Sequence, residues 1–211
     1  MEELYKKTLD RLKAELKKQL PEIEANGDWL WHHPEAGFKE TETQKYCLEV
    51  LKNHGFEACT WPDVTGFTCT YDTGRPGPCV MIMGEMDSLI CYSHPDCNPE
   101  TGAAHACGHS IQVATAMGAF ITLTESGILE NFGGKVMLAG VPAEECLEIE
   151  WRTREIQKGR LHYLCGKAEL LYRGAFDGVD IVISMHAGLG NDGTITILGS
   201  HNGFISKNVT F

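Results

Sequence analysis

His105-Ala-Cys-Gly-His-Ser110 sets a thiol, Cys107, and an imidazole, His109, two residues apart around a glycine. An apolar stretch follows at once, with Val113, Ala114, Ala116, Met117, Ala119, Phe120, Ile121 and Leu123. Their spacing mixes threes and fours and predicts the buried stripe of a helix over 110–125. Cys107 and His109 then lie on the turn entering that helix. There, backbone amides are expected to lower the thiol pKa and favour the metal-binding thiolate. Alone, Cys-x-His is a short pattern that matches by chance, and a buried cysteine or histidine is more often structural. Two further stretches change the reading. Val141-Pro-Ala-Glu-Glu145 closes one apolar run, and Ile181-Val-Ile-Ser-Met-His186 closes another on a histidine. Three strand ends or helix starts, each delivering a Cys, Glu or His, predict one convergent site.

Working outward, Leu4, Leu9, Leu12, Leu16, Leu20 and Ile23 lie among Lys and Glu. They predict a surface amphipathic helix over 4–25, kinked or split at Pro21 and ended by Asn26-Gly27. The adjacent His32 and His33 point different ways on regular structure and read as packing or surface residues. Tyr46, Leu48, Val50 and Leu51 suggest a second helix over 40–54, stopped by Gly55. Strands are predicted at 67–71 and 79–83, joined through the turn-rich 72–78 as a hairpin. The second is almost continuously apolar, as in a strand covered on both faces. It runs into Glu85 and Asp87, and open α/β sheets gather ligands at such carboxyl ends.

Residues 91–104 read as a polar loop and 135–141 as a strand. The doubly charged 147–164 reads as an exposed helix or insertion, 166–173 as a helix and 179–185 as a strand. Alternating patterns at 194–198 and 204–211 predict two more strands. The alternation of helices and strands predicts an α/β fold, a mixed sheet sandwiched by helices on both faces.

With 211 residues, 43% of them hydrophobic and 22% charged, the chain can bury a real core. A formal net charge of -11 without a basic stripe argues against a nucleic-acid partner. The nine cysteines are odd in number and scattered, several inside strand-like runs. The N-terminal stretch is charged and lacks an apolar core, so free thiols in a reducing cytoplasm are expected. No apolar run approaches membrane-spanning length.

A thiolate, two imidazoles and a carboxylate suit Zn²⁺, or Mn²⁺ or Co²⁺. Such a centre acidifies water and polarises a carbonyl, and it needs a neighbouring base to take the proton. Adjacent carboxylates at a strand end cannot easily meet one ion in the same geometry, so Glu144 and Glu145 are expected to divide the roles of base and ligand.

His33-Pro-Glu-Ala-Gly-Phe38, Glu85-Met-Asp-Ser-Leu89, His105-Ala-Cys-Gly-His109, Val141-Pro-Ala-Glu-Glu145 and Met185-His186 occur in this order. Together they resemble the motifs of the zinc-dependent amidohydrolase and metallopeptidase family that includes aminoacylase, indole-acetyl-amino-acid hydrolases and aminobenzoyl-glutamate hydrolase. The resemblance implies a zinc-exopeptidase-like catalytic domain. It implies Cys107, His109, Glu145 and His186 as ligands of a paired-metal centre, Glu144 as the general base, and Asp87 as a carboxylate that orients a ligand. It further implies a small-molecule substrate, an N-acyl-amino acid or small dipeptide cleaved at its amide. Neither nucleic acid nor membrane is implied as a partner, and a homodimer is implied at full length.

Three departures bear on that implication. Ser110 and Gln112 stand where the family carries an Asp and a His, and neither is a charged ligand. Glu85 stands where some relatives place a ligand histidine, which makes it a candidate additional ligand. The family's last metal histidine and its lid or dimerisation domain would fall beyond position 211. Residues 1–199 are thus expected to be the N-terminal part of the catalytic domain, and 200–211 the first strand of a truncated lid. Two alternatives stand beside the hydrolase. One is a non-catalytic or degenerate metal-binding fragment. The other makes Cys107 a nucleophile with His109 as base, against which residues two apart rarely share the needed hydrogen bond.

Overall fold

The computed structural model describes residues 2–188 and residue 195. In chain order these form α1 (Glu2–His32), α2 (Thr41–Asn53), β1 (Ala58–Thr60), β2 (Phe67–Asp72) and β3 (Cys79–Glu85). A short ribbon, β4 (Leu89–Ile90) and β5 (Ala103–Ala104), precedes α3 (His109–Glu125) and β6 (Lys135–Val141). Then come α4 (Ile149–Gln157), α5 (Gly166–Tyr172) and β7 (Ile181–Ser184).

Five strands make one mixed sheet in the order β1-β2-β6-β3-β7. β3 runs parallel to both β6 and β7, while β2 is antiparallel to β1 and β6. The expected hairpin between β2 and β3 does not form, because β6 inserts between them. The apolar run of β3 explains this: it needs a strand on each side and cover on each face, which only a central position provides. The alternation along β6 shows both faces covered. Val136 and Leu138 meet the cluster of Leu30, Leu51, Met117 and Phe120 from α1, α2 and α3. Met137, Ala139 and Val141 meet Met81, Met83, Leu170 and Ala175 on the other face.

The long first helix also differs from expectation. It runs unbroken through Pro21 and Asn26-Gly27 to His32. Packing overrides the local stop signal: buried Asn26 accepts a 2.7 Å hydrogen bond from the Tyr46 hydroxyl, and Gly27 lies against Ala114 of α3. The segment read as exposed, 147–164, is exposed only in part. Its α4 buries Arg152 completely, with Nη1 donating to Leu164 O at 2.8 Å. Among the described residues no helix is long and apolar enough to cross a membrane. The nine cysteines are free thiols. The strands expected at 194–198 and 204–211, and the domain boundary at 200, lie outside the described residues apart from Ile195.

Register fixes where the site forms. Glu85 pairs with Val141 and Met83 with Ser184, so the carboxyl ends of β3, β6 and β7 lie side by side. Glu85, the 141–145 turn and His186 therefore leave the sheet at one edge.

Candidate metal centre

His109 is the first residue of α3 and is fully buried. It follows Gly108, whose φ of 95° is left-handed. A Cβ at Gly108 would lie 2.9 Å from that of Ala187, so glycine lets the Cys107–His109 turn close on the end of β7. His109 Nδ1 donates to the backbone carbonyl of Asp87 at 2.9 Å, which turns Nε2 toward the cluster. His186 repeats the arrangement, with Nδ1 bonded to Ala187 O at 2.8 Å. Cys107 Sγ lies 3.5 Å from His186 Nε2, and donor atoms of Cys107, His109 and His186 all lie within 4.8 Å of one another. A second triad, Glu85, His109 and Glu144, meets the same limit. Thus the three separated stretches of sequence do converge.

Glu145 belongs to neither triad. Its backbone N–H donates to Asp87 Oδ2 at 2.9 Å, and its carboxylate sits against the Cys107 thiol. Asp87, fully buried, thereby holds two of the implied ligands, His109 by its carbonyl and Glu145 by its carboxylate. Glu144 is about one-third exposed, with side-chain accessibility of 34%, and its Oε2 is 4.0 Å from His109 Nε2.

The surroundings are anionic, and the titration directions follow from that. Burial drives the Cys107 thiol up to about 12, with Glu145, Glu144 and Glu85 adding to it. The lowering expected from the helix N-terminus is not found, because burial first and then the carboxylates act against the thiolate here. For His109, burial disfavours the charged ring, yet Asp87 and Glu85 raise its pKa to about 10. Burial opposes ionisation of Glu85 as well, but His109 and Lys167 beside it bring it down to about 2. Burial, then the charge of Glu85, raises Glu144.

These donors fit a divalent metal. His109 Nε2 is buried, lies 3.1 Å from Glu85 Oε2 without hydrogen-bond alignment, and has no hydrogen-bond partner. An imidazole pinned through Nδ1 with Nε2 unpartnered is how a metal-binding histidine is usually presented, the metal taking the place of the Nε2 proton. The raised thiol is no obstacle, since a coordinating cation deprotonates a thiol outright.

The departures from the family pattern also find places. Gln112 is a strut, its Oε1 accepting from Glu85 N–H at 3.2 Å and its Nε2 donating to Ser184 Oγ at 3.0 Å. Ser110 is buried with its hydroxyl unpaired. Glu35 of the first motif caps α2 from outside, accepting from the backbone N–H of Glu42 and Thr43. His32 and His33 bond the carbonyls of Asp28 and Trp29 at the end of α1, and His33 stacks on Trp29. Reading the sequence missed two charged residues. Lys167 forms an ion pair with Glu85 and lies 3.7 Å from Glu144 Oε1. Glu40, at the start of α2, accepts the Ala143 N–H at 2.8 Å and so holds the turn before Glu144. Neither stands in a motif, and only the fold brings them here.

No family model matches the chain. It is 26% identical to an N-acyl-L-amino acid amidohydrolase of Geobacillus stearothermophilus over 82% of its own length and 44% of that protein. With one of the subunits of the p-aminobenzoyl-glutamate hydrolase of Escherichia coli it shares 32% identity over 65% of its length and 30% of the relative. A dinuclear metal-binding peptidase of the M20 family from Bacillus subtilis superposes with a TM-score of 0.63. That likeness is at 25% identity and covers 83% of this chain and 44% of that one. The chain thus spans less than half the length of the relatives it matches.

Proposed function

We propose, taking as premise that this chain is a homologue of those amidohydrolases and metallopeptidases, that it carries a centre for hydrolysing the amide of an N-acyl-amino acid or small dipeptide. Cys107, His109, Glu145 and His186 would hold the metal, which we take as zinc, with manganese or cobalt as substitutes and two ions in the whole enzyme. Bound there, the metal polarises the amide carbonyl and acidifies water. Glu144 serves as the base. Its carboxylate faces both solvent and the cluster, and burial with the charge of Glu85 raises its pKa, which favours its taking up a proton. It removes the proton from water as the new C–O bond forms, then delivers it to the nitrogen as the C–N bond breaks. Asp87 contributes by holding the His109 ring and the Glu145 backbone in place.

The observation that carries this reading is the meeting of Cys107, His109 and His186 within 4.8 Å, with Glu144 at its side. The test is metal content by plasma mass spectrometry on the parent, Cys107→Ala, Glu145→Ala and Glu144→Gln, together with hydrolysis of N-acyl-amino acids. We expect one or two bound ions in the parent and loss of metal in the first two variants. Glu144→Gln should keep its metal and lose about 10²–10⁴-fold in turnover. A parent that binds no metal would sink the proposal.

A further inference from the structure

We propose that Lys167 is a positioning residue of this centre, keeping Glu85 as its counter-ion rather than a metal ligand and leaving Glu144 free as base. The proposal deepens the metal-centre reading and rests on it. Each of the two carboxylates spans the same pair of groups. Glu85 sets Oε2 3.1 Å from His109 Nε2 and pairs Oε1 with Lys167 Nζ. Glu144 sets Oε2 4.0 Å from His109 Nε2 and Oε1 3.7 Å from Lys167 Nζ. By distance alone Glu85 is placed as a ligand. Charge decides otherwise. A buried carboxylate that is not spent on a metal needs a cation of its own beside it. Lys167 supplies it.

The fold delivers that ammonium by a rigid route. Gly166 N–H donates to Ala143 O at 3.0 Å, and a Cβ at Gly166 would lie 1.7 Å from Pro142 O. The first turn of α5 is therefore seated directly on the turn that bears Glu144. Glu85 is fixed from the other side through its backbone bond to Gln112. Only its carboxylate is left to choose between the centre and Lys167.

The test has two arms. On metal-free protein, a double-mutant cycle with Lys167→Met and Glu85→Gln is read in melting temperature. Each single change should lower it by about 4 °C or more, and the double variant by less than their sum. In the second arm, Co²⁺ is titrated while the thiolate-to-cobalt charge-transfer absorption of Cys107 is followed. Glu85→Gln and Lys167→Arg should keep the parental band and affinity. Lys167→Met should shift the band and change affinity about 10-fold as Glu85 is released toward the metal. Additive losses in the cycle, or weakened cobalt binding in Glu85→Gln, overturn the proposal alone. A parent without the band overturns the metal-centre reading, and the role with it. Should Lys167→Met fail to fold, the Glu85→Gln titration still decides between ligand and counter-ion.

Discussion

Glu40 shows how much one buried carboxyl can govern here. It accepts from Thr65 Oγ1 at 2.5 Å and from the Ala143 N–H at 2.8 Å, entirely out of solvent. Burial, helped by the charge of Asp87, pushes its pKa from 4.5 up to about 7. The folded state thus holds this proton more tightly than the unfolded chain. The group's contribution to stability is full below pH 4.5 and falls as pH rises through 7. The decline should approach about 3 kcal/mol, from 1.36 kcal/mol per unit of pKa. Glu40→Gln should remove it, because the amide offers an oxygen to Ala143 and an N–H to Thr65. Urea unfolding of both proteins from pH 5 to 8 checks this, and parallel profiles would show that Glu40 is not the cause. Nothing in the sequence marks Glu40 beyond its place at a helix start. Its environment comes from residues 25 and 103 positions away.

At the scale of elements, what could be read locally was read well and what depended on partners was not. The apolar run of β3 announces a strand covered on both faces, yet nothing in it says that β6 rather than β2 lies alongside. The interval between β2 and β3 looks like a hairpin because turn residues act locally, whereas strand order is settled by the whole core. Likewise Asn26-Gly27 signals a helix end, and only the Tyr46 hydroxyl and the surface of α3 carry α1 past it. Two joints between elements give measurable consequences. Gly166→Ala should cost about 1–3 kcal/mol, since its methyl cannot fit against Pro142 O without moving α5. Denaturant unfolding measures it, and an unchanged midpoint would refute the tight seat. His54 joins three helices, its Nδ1 2.6 Å from Glu125 of α3 and its Nε2 3.0 Å from Glu22 of α1. Burial opposes the imidazolium, but the two carboxylates raise its pKa above 6.5. Its contribution is then full below pH 6.5 and lost as pH climbs through the raised value. His54→Gln should flatten the alkaline decline in stability, and an unaltered slope would remove the clasp from the account.

For the whole molecule, the convergence of the three stretches was more legible than the strand order of the sheet. Side chains able to bind a metal are of a few types, so Cys107, His109, Glu145 and His186, the ligands we propose, stand out in the sequence. Lys167 and Gln112 reach this region only through Glu85, Glu144 and Ser184, and no spacing rule selects them. Among the described residues, the same topology that converges the strand ends leaves β7 at the sheet margin. Ile181, Val182 and Ile183 are exposed at 50%, 44% and 55%, and Met185 at 46%. An apolar edge strand of this kind is a template for pairing with another chain. The 211-residue polypeptide should therefore gain mass with concentration in light scattering. Ile183 pairs with Ile82 through the backbone, so Ile183→Lys leaves the β3–β7 ladder its hydrogen bonds while placing a charge on the exposed face. That variant should remain closer to monomer mass at every concentration and show an unchanged far-ultraviolet circular dichroism spectrum. Equal masses for parent and variant across the series would locate the association elsewhere, or show that the exposed edge is not adhesive.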